Sequence, residues 1–218
     1  MTLQNAKYKM LTRIWWANAT IEEPPEVERS YRQRDERDRE TILNEFVACL
    51  RDYKAHVIRT SEDNLSQEVT AVCQRFHVKR LVIPADLPRS WLPDGVEVRR
   101  DVPPLSTREL NEFSNVMTGC ALAIAQTGTI VLNAGETQGR RALSLIPDLH
   151  CCVVFERQVV GLVPEAIAKL AEHAMRPITF ISGPSATSDI EFCRVEGVHG
   201  PRTLIVCVVS QHDKRQHG

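Results

Sequence analysis

Residues 40–83 read ETILNEFVACLRDYKAHVIRTSEDNLSQEVTAVCQRFHVKRLVI and alternate between helix-like and strand-like patterns. Apolar side chains recur at three- and four-residue spacing over 42–53 and again over 65–76, which predicts two helices that each bury one face. Short segments at 56–59 and 81–83 predict strands. Because a helix separates the two strands, the segment is typical of a parallel βαβ unit with a right-handed crossover.

The rest of the chain continues this alternation and adds a hairpin. Ser106 and Glu109 form a capping-box pattern, which predicts a helix through about residue 116. Further elements are predicted as an edge strand at 96–99, a hairpin of 120–125 with 129–132, strands at 151–155, 178–181 and 204–209, and a helix at 165–174. The uncharged strand at 178–181 is expected to be buried. The predicted fold class is therefore α/β, with three layers around a mixed, mostly parallel sheet.

The two ends of the chain differ from this central region. Residues 1–39 are rich in charge of both signs and contain Trp15 and Trp16. They predict a charged N-terminal arm, partly helical, whose tryptophans dock on the core or on a partner; a loosely held terminus is the alternative. Residues 40–210 are expected to form one α/β domain and 211–218 a polar tail.

The composition excludes several kinds of partner and site. The 218 residues carry a formal net charge of −1, which gives no electrostatic footprint for nucleic acid or an anionic membrane. No apolar segment approaches the roughly 20 residues that span a bilayer, and no signal-peptide pattern begins the sequence, so we expect a cytoplasmic protein. The seven cysteines include no Cys-x-x-Cys pair, and the histidines have no metal-ligand spacing. We therefore expect reduced thiols, no metal site and no cofactor.

A loop near the C-terminus carries short polar side chains where a predicted strand ends. A Gly-Pro pair follows 178–181, and Ser185, Thr187 and Asp189 come directly after it. Free backbone N–H groups and hydroxyls at such a position form either an anion cradle or an ordinary hydrogen-bonded turn. Ser185 lacks the Gly-x-Ser-x-Gly spacing of a nucleophile elbow.

Two further loops carry cationic or titratable groups. The segment 197–202, GVHGPR, places His199 and Arg202 just before the last strand, and 133–141, NAGETQGRR, ends in Arg140 and Arg141. An imidazole titrates near neutral pH and a guanidinium binds carboxylate or phosphate in a bidentate manner. The alternatives are a structural histidine, a surface arginine and a solvated turn. The sequence contains neither a dinucleotide-binding nor a P-loop pattern.

Four motifs together resemble the lactate-utilisation protein C family, also called the LUD domain. They are AQTGT at 125–129, GRRALSLIPD at 139–148, ISGPSATSDIE at 181–191 and GVHGPR at 197–202, and the resemblance covers about residues 40–209. It implies the fold shared by glucosamine-phosphate deaminase, ribose-phosphate isomerase and CoA transferases. The name-giving members accompany iron–sulfur proteins that oxidise L-lactate to pyruvate.

The resemblance also implies a set of site residues. The family pattern commonly has Glu before the Thr-Gly-Thr, whereas this chain has Gln126, which cannot act as a general base or a carboxylate nucleophile. Acid/base roles fall on Asp189, Glu191 and His199. Ligand-binding roles fall on Thr127, Gly128, Arg140, Arg141, Gly183, Ser185, Thr187 and Arg202.

Three functions remain open at this point. The first is a non-redox subunit of a cytoplasmic lactate-oxidising system, with iron–sulfur partner proteins and a small anionic ligand. The second is a stand-alone enzyme acting on a sugar phosphate or a CoA ester. The third is a binding or regulatory module without turnover. The sequence leaves the ligand and the oligomeric state open, and a homo-oligomer is one alternative.

Overall fold

A computed structural model describes residues 3–19, 28, 30–187, 195–196 and 200–210. The chain divides into two compact units, Met1–Arg32 and Gln33–Gly218. The first contains helix α1 (Leu3–Asn18), on which Trp15 and Trp16 are exposed and meet edge to face with ring centroids 5.2 Å apart. The predicted division of the sequence into arm, domain and tail stays a prediction.

The second unit consists of alternating helices and strands. Helix α2 begins after Asp38, whose side chain accepts a hydrogen bond from the Thr41 backbone N–H, as expected of an N-cap. The helices are α2 (Arg39–Asp52), α3 (Leu65–Arg75), α4 (Thr107–Phe113), α5 (Arg141–Leu145) and α6 (Val163–Leu170). The strands are β1 (His56–Ser61), β2 (Arg80–Ile83), β3 (Glu97–Arg100), β4 (Asn115–Thr118), β5 (Leu122–Ile124), β6 (Thr129–Leu132), β7 (Leu149–Phe155), β8 (Val159–Val160), β9 (Thr179–Ile181), β10 (Ala186–Thr187), β11 (Val195–Glu196) and β12 (Thr203–Ser210).

The main sheet is six-stranded and parallel, in the order β1-β12-β7-β4-β2-β3. Its central strands β7 and β12 are almost wholly apolar, because both of their faces are covered. The predicted strands β1 and β2 belong to this sheet and run parallel, but β12, β7 and β4 lie between them. The predicted α/β class with a mostly parallel sheet is confirmed.

Helix α3 covers one face of the main sheet. Leu65 and Val69 of α3 are buried in the same cluster as Cys151 and Val153 of β7, and alternate residues of β12 join them. This alternation follows from the strand geometry, in which successive side chains point to opposite faces.

The opposite face is covered by α2 and by a second sheet. That sheet has the order β8-β5-β6-β9, with antiparallel pairs β5–β6 and β6–β9, so the predicted hairpin is confirmed. Phe46 of α2 and Ile130 of β6 share a buried cluster with Cys152 of β7. Leu170 of α6 packs against Leu122 on the other side of the second sheet. Helices α4 and α5 pack beside β2 and β4 through Leu110, Leu143, Val82 and Val116.

Two predicted elements were wrong in detail. The helix that starts at the Ser106 capping box ends at Phe113 rather than near 116, because Ser114 adopts φ 56 and Asn115 begins β4. The strand β9 is an edge strand and not a buried one, since Phe180 is 50% exposed.

Candidate functional site

A cavity of about 250 Å³ lies where β7 and β12 begin. His150 and Leu204, the second residues of these strands, line one side, and β9 with the turn that follows it lines the other. Arg141 and Ser144 of α5 also contribute. We call this cavity the amino-edge pocket; it is lined by Arg141, Ser144, His150, 179–185, Gly200, Pro201 and Leu204.

His150 is the buried polar group of the amino-edge pocket. It is 1% exposed, and its Nε2 lies 2.8 Å from the Thr118 hydroxyl of β4. Burial, together with the positive charge of Arg141, lowers the pKa of His150 to about 4. The imidazole is therefore neutral near neutral pH; Thr118 engages its Nε2, and the other ring nitrogen keeps its hydrogen-bonding capacity.

Arg141 supplies the positive charge at this pocket. It is the first residue of α5, its side chain is exposed, and one Nη donates to the Ser144 hydroxyl one turn later at 3.0 Å. Within the part of the chain that the structure describes, it has no acidic partner. A guanidinium held by a hydroxyl and unpaired with a carboxylate is suited to bind an anion.

The turn after β9 brings two predicted residues to the same pocket. Gly183 has φ +85, and a Cβ there would lie 2.6 Å from the Cβ of Tyr53, so this position requires glycine. The Ser185 backbone N–H donates to the Pro201 carbonyl at 2.7 Å, which ties the turn to the start of β12. Arg141, Gly183 and Ser185 are thus brought together at one cavity.

Thr127 and Gly128 do not line the pocket, and Thr127 is connected to a residue that does. The hydroxyls of Thr127 and Thr129 lie 2.7 Å apart, and Thr129 in turn lies 2.8 Å from the hydroxyl of Ser182, a pocket residue. Gly128 forms a tight turn against α2 with φ +57. Gln126 is exposed, and its backbone N–H donates to the Gly161 carbonyl.

The remaining predicted arginines have other surroundings. Arg140 donates to the Asp101 carboxylate from Nε at 2.7 Å and from Nη2 at 3.0 Å, and it also donates to the Leu105 carbonyl. Arg202 is exposed, and its Nε lies 3.7 Å from a carboxylate oxygen of Asp148. Neither arginine lines the amino-edge pocket.

Four predicted residues fall partly or wholly outside the description. Thr187 is described through its backbone alone, in β10, where it lies opposite Val195 of the antiparallel strand β11. Asp189, Glu191 and His199 lie outside the described residues. Their acid/base roles stay predictions.

Three residues at or beside the pocket are not predicted from the sequence motifs: His150, Ser144 and Thr118. A signal for His150 is present, because it is the one side chain in the otherwise apolar run 149–155 that ordinarily titrates near neutral pH. A buried imidazole in such a run needs a hydrogen-bond partner, which the neighbouring strand provides through Thr118. Ser144 carries no comparable signal.

The described residues contain neither a membrane-spanning helix nor a cluster of metal ligands. None of the described helices is long and apolar enough to cross a bilayer. No group of three or more His, Cys, Asp or Glu side chains is arranged to hold a metal ion in the same residues.

Fold and pocket together define the class: an α/β protein whose parallel sheet carries a small, positively charged pocket at its amino edge. The family model of the LUD domain matches residues 43–209. The chain therefore belongs to the LUD domain family.

Individual relatives agree with this assignment. A protein of Deinococcus radiodurans named lactate utilization protein C is 45% identical over 206 residues, which cover 94% of this chain and 95% of the relative. A protein of the same name from Exiguobacterium is 28% identical over 87% of this chain and 88% of its own length. A crystal structure of a DUF162 family protein from Deinococcus radiodurans matches with a TM-score of 0.70 at 42% identity, covering 79% of this chain and 99% of that one.

Proposed function

We propose that this protein is a non-redox component of a cytoplasmic L-lactate utilisation system and that it binds a small anion in the amino-edge pocket. The family and the name shared by its relatives support the pathway. In this proposal, iron–sulfur partner proteins accept the electrons released when L-lactate is oxidised to pyruvate. The chain itself holds a carboxylate or phosphate group.

One observation carries the ligand part of the proposal. The guanidinium of Arg141 faces a cavity of about 250 Å³ without an acidic partner among the described residues, beside the hydroxyl of Ser144. The cavity is slightly smaller than the usual size range of small-molecule sites, which suits a ligand of a few heavy atoms. The neutral imidazole of His150 adds a hydrogen-bonding group without adding charge.

Calorimetric titration of the purified protein with L-lactate, pyruvate and inorganic phosphate tests this proposal. Replacing Arg141 with Gln removes the charge and retains much of the side-chain length. Hydrogen bonds to charged groups contribute about 1.5–3 kcal/mol, so we expect Arg141→Gln to weaken binding about tenfold or more.

Arg108→Gln is the matched control. Arg108 lies on α4, is exposed, and pairs with Glu112 at 3.0 Å, away from the residues that line the pocket. We expect this variant to bind as the wild type does. If none of the three anions binds, or if Arg141→Gln binds as tightly as the control, the amino-edge pocket is not the anion site.

A further inference from the structure

A second and larger cavity, of about 960 Å³, lies at the opposite ends of the parallel strands. Its lining includes Glu62 after β1, Asp86 after β2, Gly119 after β4 and Arg157 after β7. We call it the carboxyl-edge cavity. Many open α/β sheets bind ligands in the crevice outside the carboxyl ends of the strands. None of its residues belongs to the amino-edge pocket.

The loop 133–138 forms one wall of this cavity and is held firmly in an unusual conformation. Ala134 and Thr137 have positive φ values of 53 and 62, which non-glycine residues rarely adopt. The Thr137 N–H donates to Asp86 at 2.8 Å, and the Thr137 carbonyl accepts from the Gly119 N–H at 2.8 Å. A Cβ on Gly119 would lie 2.2 Å from the Thr137 hydroxyl, so the loop rests directly on the end of β4.

Two guanidinium groups line the cavity without acidic partners among the described residues. Arg157 stacks on Phe155, with its guanidinium carbon 4.4 Å from the ring centroid, and Phe155 in turn contacts Trp91 at 5.5 Å between centroids. Arg176 is exposed and lines the same cavity. Unpaired guanidiniums at a concave surface favour a phosphate or carboxylate.

Three carboxylates are among the remaining polar side chains of the lining, beside neutral hydroxyl and amide side chains. Glu62 and Glu136 are exposed carboxylates, and Asp86 offers the oxygen that Thr137 does not use. Ionised carboxylates are acceptors only, so an anion that contacts these side chains as well as the arginines needs hydroxyl or amine donors. Lactate has a single hydroxyl and would fill a small part of 960 Å³.

We propose that the carboxyl-edge cavity binds a hydroxyl-rich anion larger than lactate. Arg157 and Arg176 bind its phosphate or carboxylate group. Glu62, Asp86 and Glu136 accept hydrogen bonds from its hydroxyl groups. This site is separate from the anion site proposed above. The lining fits a phosphate ester and a sugar-acid carboxylate equally, because both groups form bidentate bonds with arginine.

Trp91 provides a reporter inside the cavity wall. The chain has three tryptophans, so the double substitution Trp15→Phe, Trp16→Phe leaves Trp91 as the only one. The emission of this variant is titrated with ribose 5-phosphate in one arm and gluconate in the other, both at up to millimolar concentration. Propionate, which has a carboxylate and no hydroxyl, is the control ligand.

We expect a saturable change in Trp91 emission with at least one of the two hydroxylated anions and a much weaker response to propionate. Adding Arg176→Gln should weaken the apparent affinity about tenfold or more, whereas adding Arg108→Gln should leave it unchanged. The arm that responds identifies phosphate or carboxylate as the anionic group. The proposal would be overturned if neither arm gave a saturable response. It would also be overturned if adding Arg157→Gln or Arg176→Gln left the apparent affinity unchanged.

This outcome is independent of the proposed function. Trp91 and Arg176 do not line the amino-edge pocket. A negative result in the Trp91 titration does not bear on the calorimetric test of Arg141→Gln. A negative result in that calorimetric test does not bear on the carboxyl-edge cavity.

Discussion

His150 is kept neutral in the interior by its surroundings. Burial lowers the pKa of its imidazole most, and the positive charge of Arg141 adds to this effect, while Thr118 contacts its Nε2. Its pKa is about 4 in the folded protein against an ordinary value of 6.5. Between these values the unfolded chain binds more protons than the folded one, so stability falls as the pH decreases from 6.5 to 4.

We predict that His150→Gln flattens this pH dependence. The free energy of unfolding of the wild type should lose on the order of 3 kcal/mol through His150 across that window, and the variant should not show this component. Urea unfolding at a series of pH values measures both curves. His77→Asn, which replaces an exposed histidine with a residue that tolerates its φ of 55, should keep the wild-type slope. Parallel curves for wild type and His150→Gln would contradict this assignment.

Gly128 is required by both its conformation and its neighbours. Gly128 has φ +57, which residues other than glycine rarely adopt. A Cβ at this position would lie 2.8 Å from the Cβ of Cys49 and 3.1 Å from the backbone nitrogen of Leu50. We therefore predict that Gly128→Ala lowers the free energy of unfolding by about 2–4 kcal/mol. Gly95→Ala separates the two causes, because Gly95 has φ +71 with nothing within 4 Å of the added carbon. It should cost only about 1 kcal/mol. Equal losses in thermal or urea melts would show that the contact with α2 contributes nothing.

An ion pair between Asp101 and Arg140 links β3 to α5. Asp101 follows β3, and its carboxylate accepts from Arg140, the residue before α5, and from the Leu105 backbone N–H at 2.7 Å. The Asp101 side chain is 7% exposed and the Arg140 side chain 40%. The carboxylate and its hydrogen bonds raise the pKa of Arg140 above its ordinary value.

A double-mutant cycle on this pair measures its contribution. We predict that Arg140→Ala and Asp101→Ala each lower the free energy of unfolding by about 2 kcal/mol. This value is smaller than that for a fully buried pair, because the arginine is partly exposed. The double variant should lose less than the sum of the two, because either substitution already removes the shared bonds. Strict additivity would mean that the two side chains do not stabilise each other.

The elements also show which parts of the fold the sequence predicts and which it does not. Local signals located the Ser106 capping box and the 129–132 hairpin strand, since each depends on neighbouring residues. The end of α4 was missed because Asn115–Thr118 is short and becomes a strand only by pairing with β7 and β2. The exposure of β9 was missed for the same kind of reason, as its position at the edge of the second sheet is set by tertiary packing.

At the scale of the whole molecule, the strand β7 connects the two proposed sites. His150 near its start lines the amino-edge pocket, and Phe155 at its end lines the carboxyl-edge cavity. The sequence predicted Arg141, Gly183 and Ser185 through family motifs. It could not predict that Asp86, Thr137 and Arg157 surround one cavity, because strands distant in sequence bring them together at one edge of the sheet.

Growth on L-lactate as the sole carbon source tests whether this protein serves in lactate utilisation. A strain of the source organism that lacks this gene should fail to grow on L-lactate and grow normally on glucose. Wild type and Arg108→Gln should restore growth, and Arg141→Gln should not, provided that each protein accumulates to the same level. Undiminished growth of the deletion strain on L-lactate would contradict a role in lactate utilisation, and full rescue by Arg141→Gln would contradict the amino-edge pocket as its functional site.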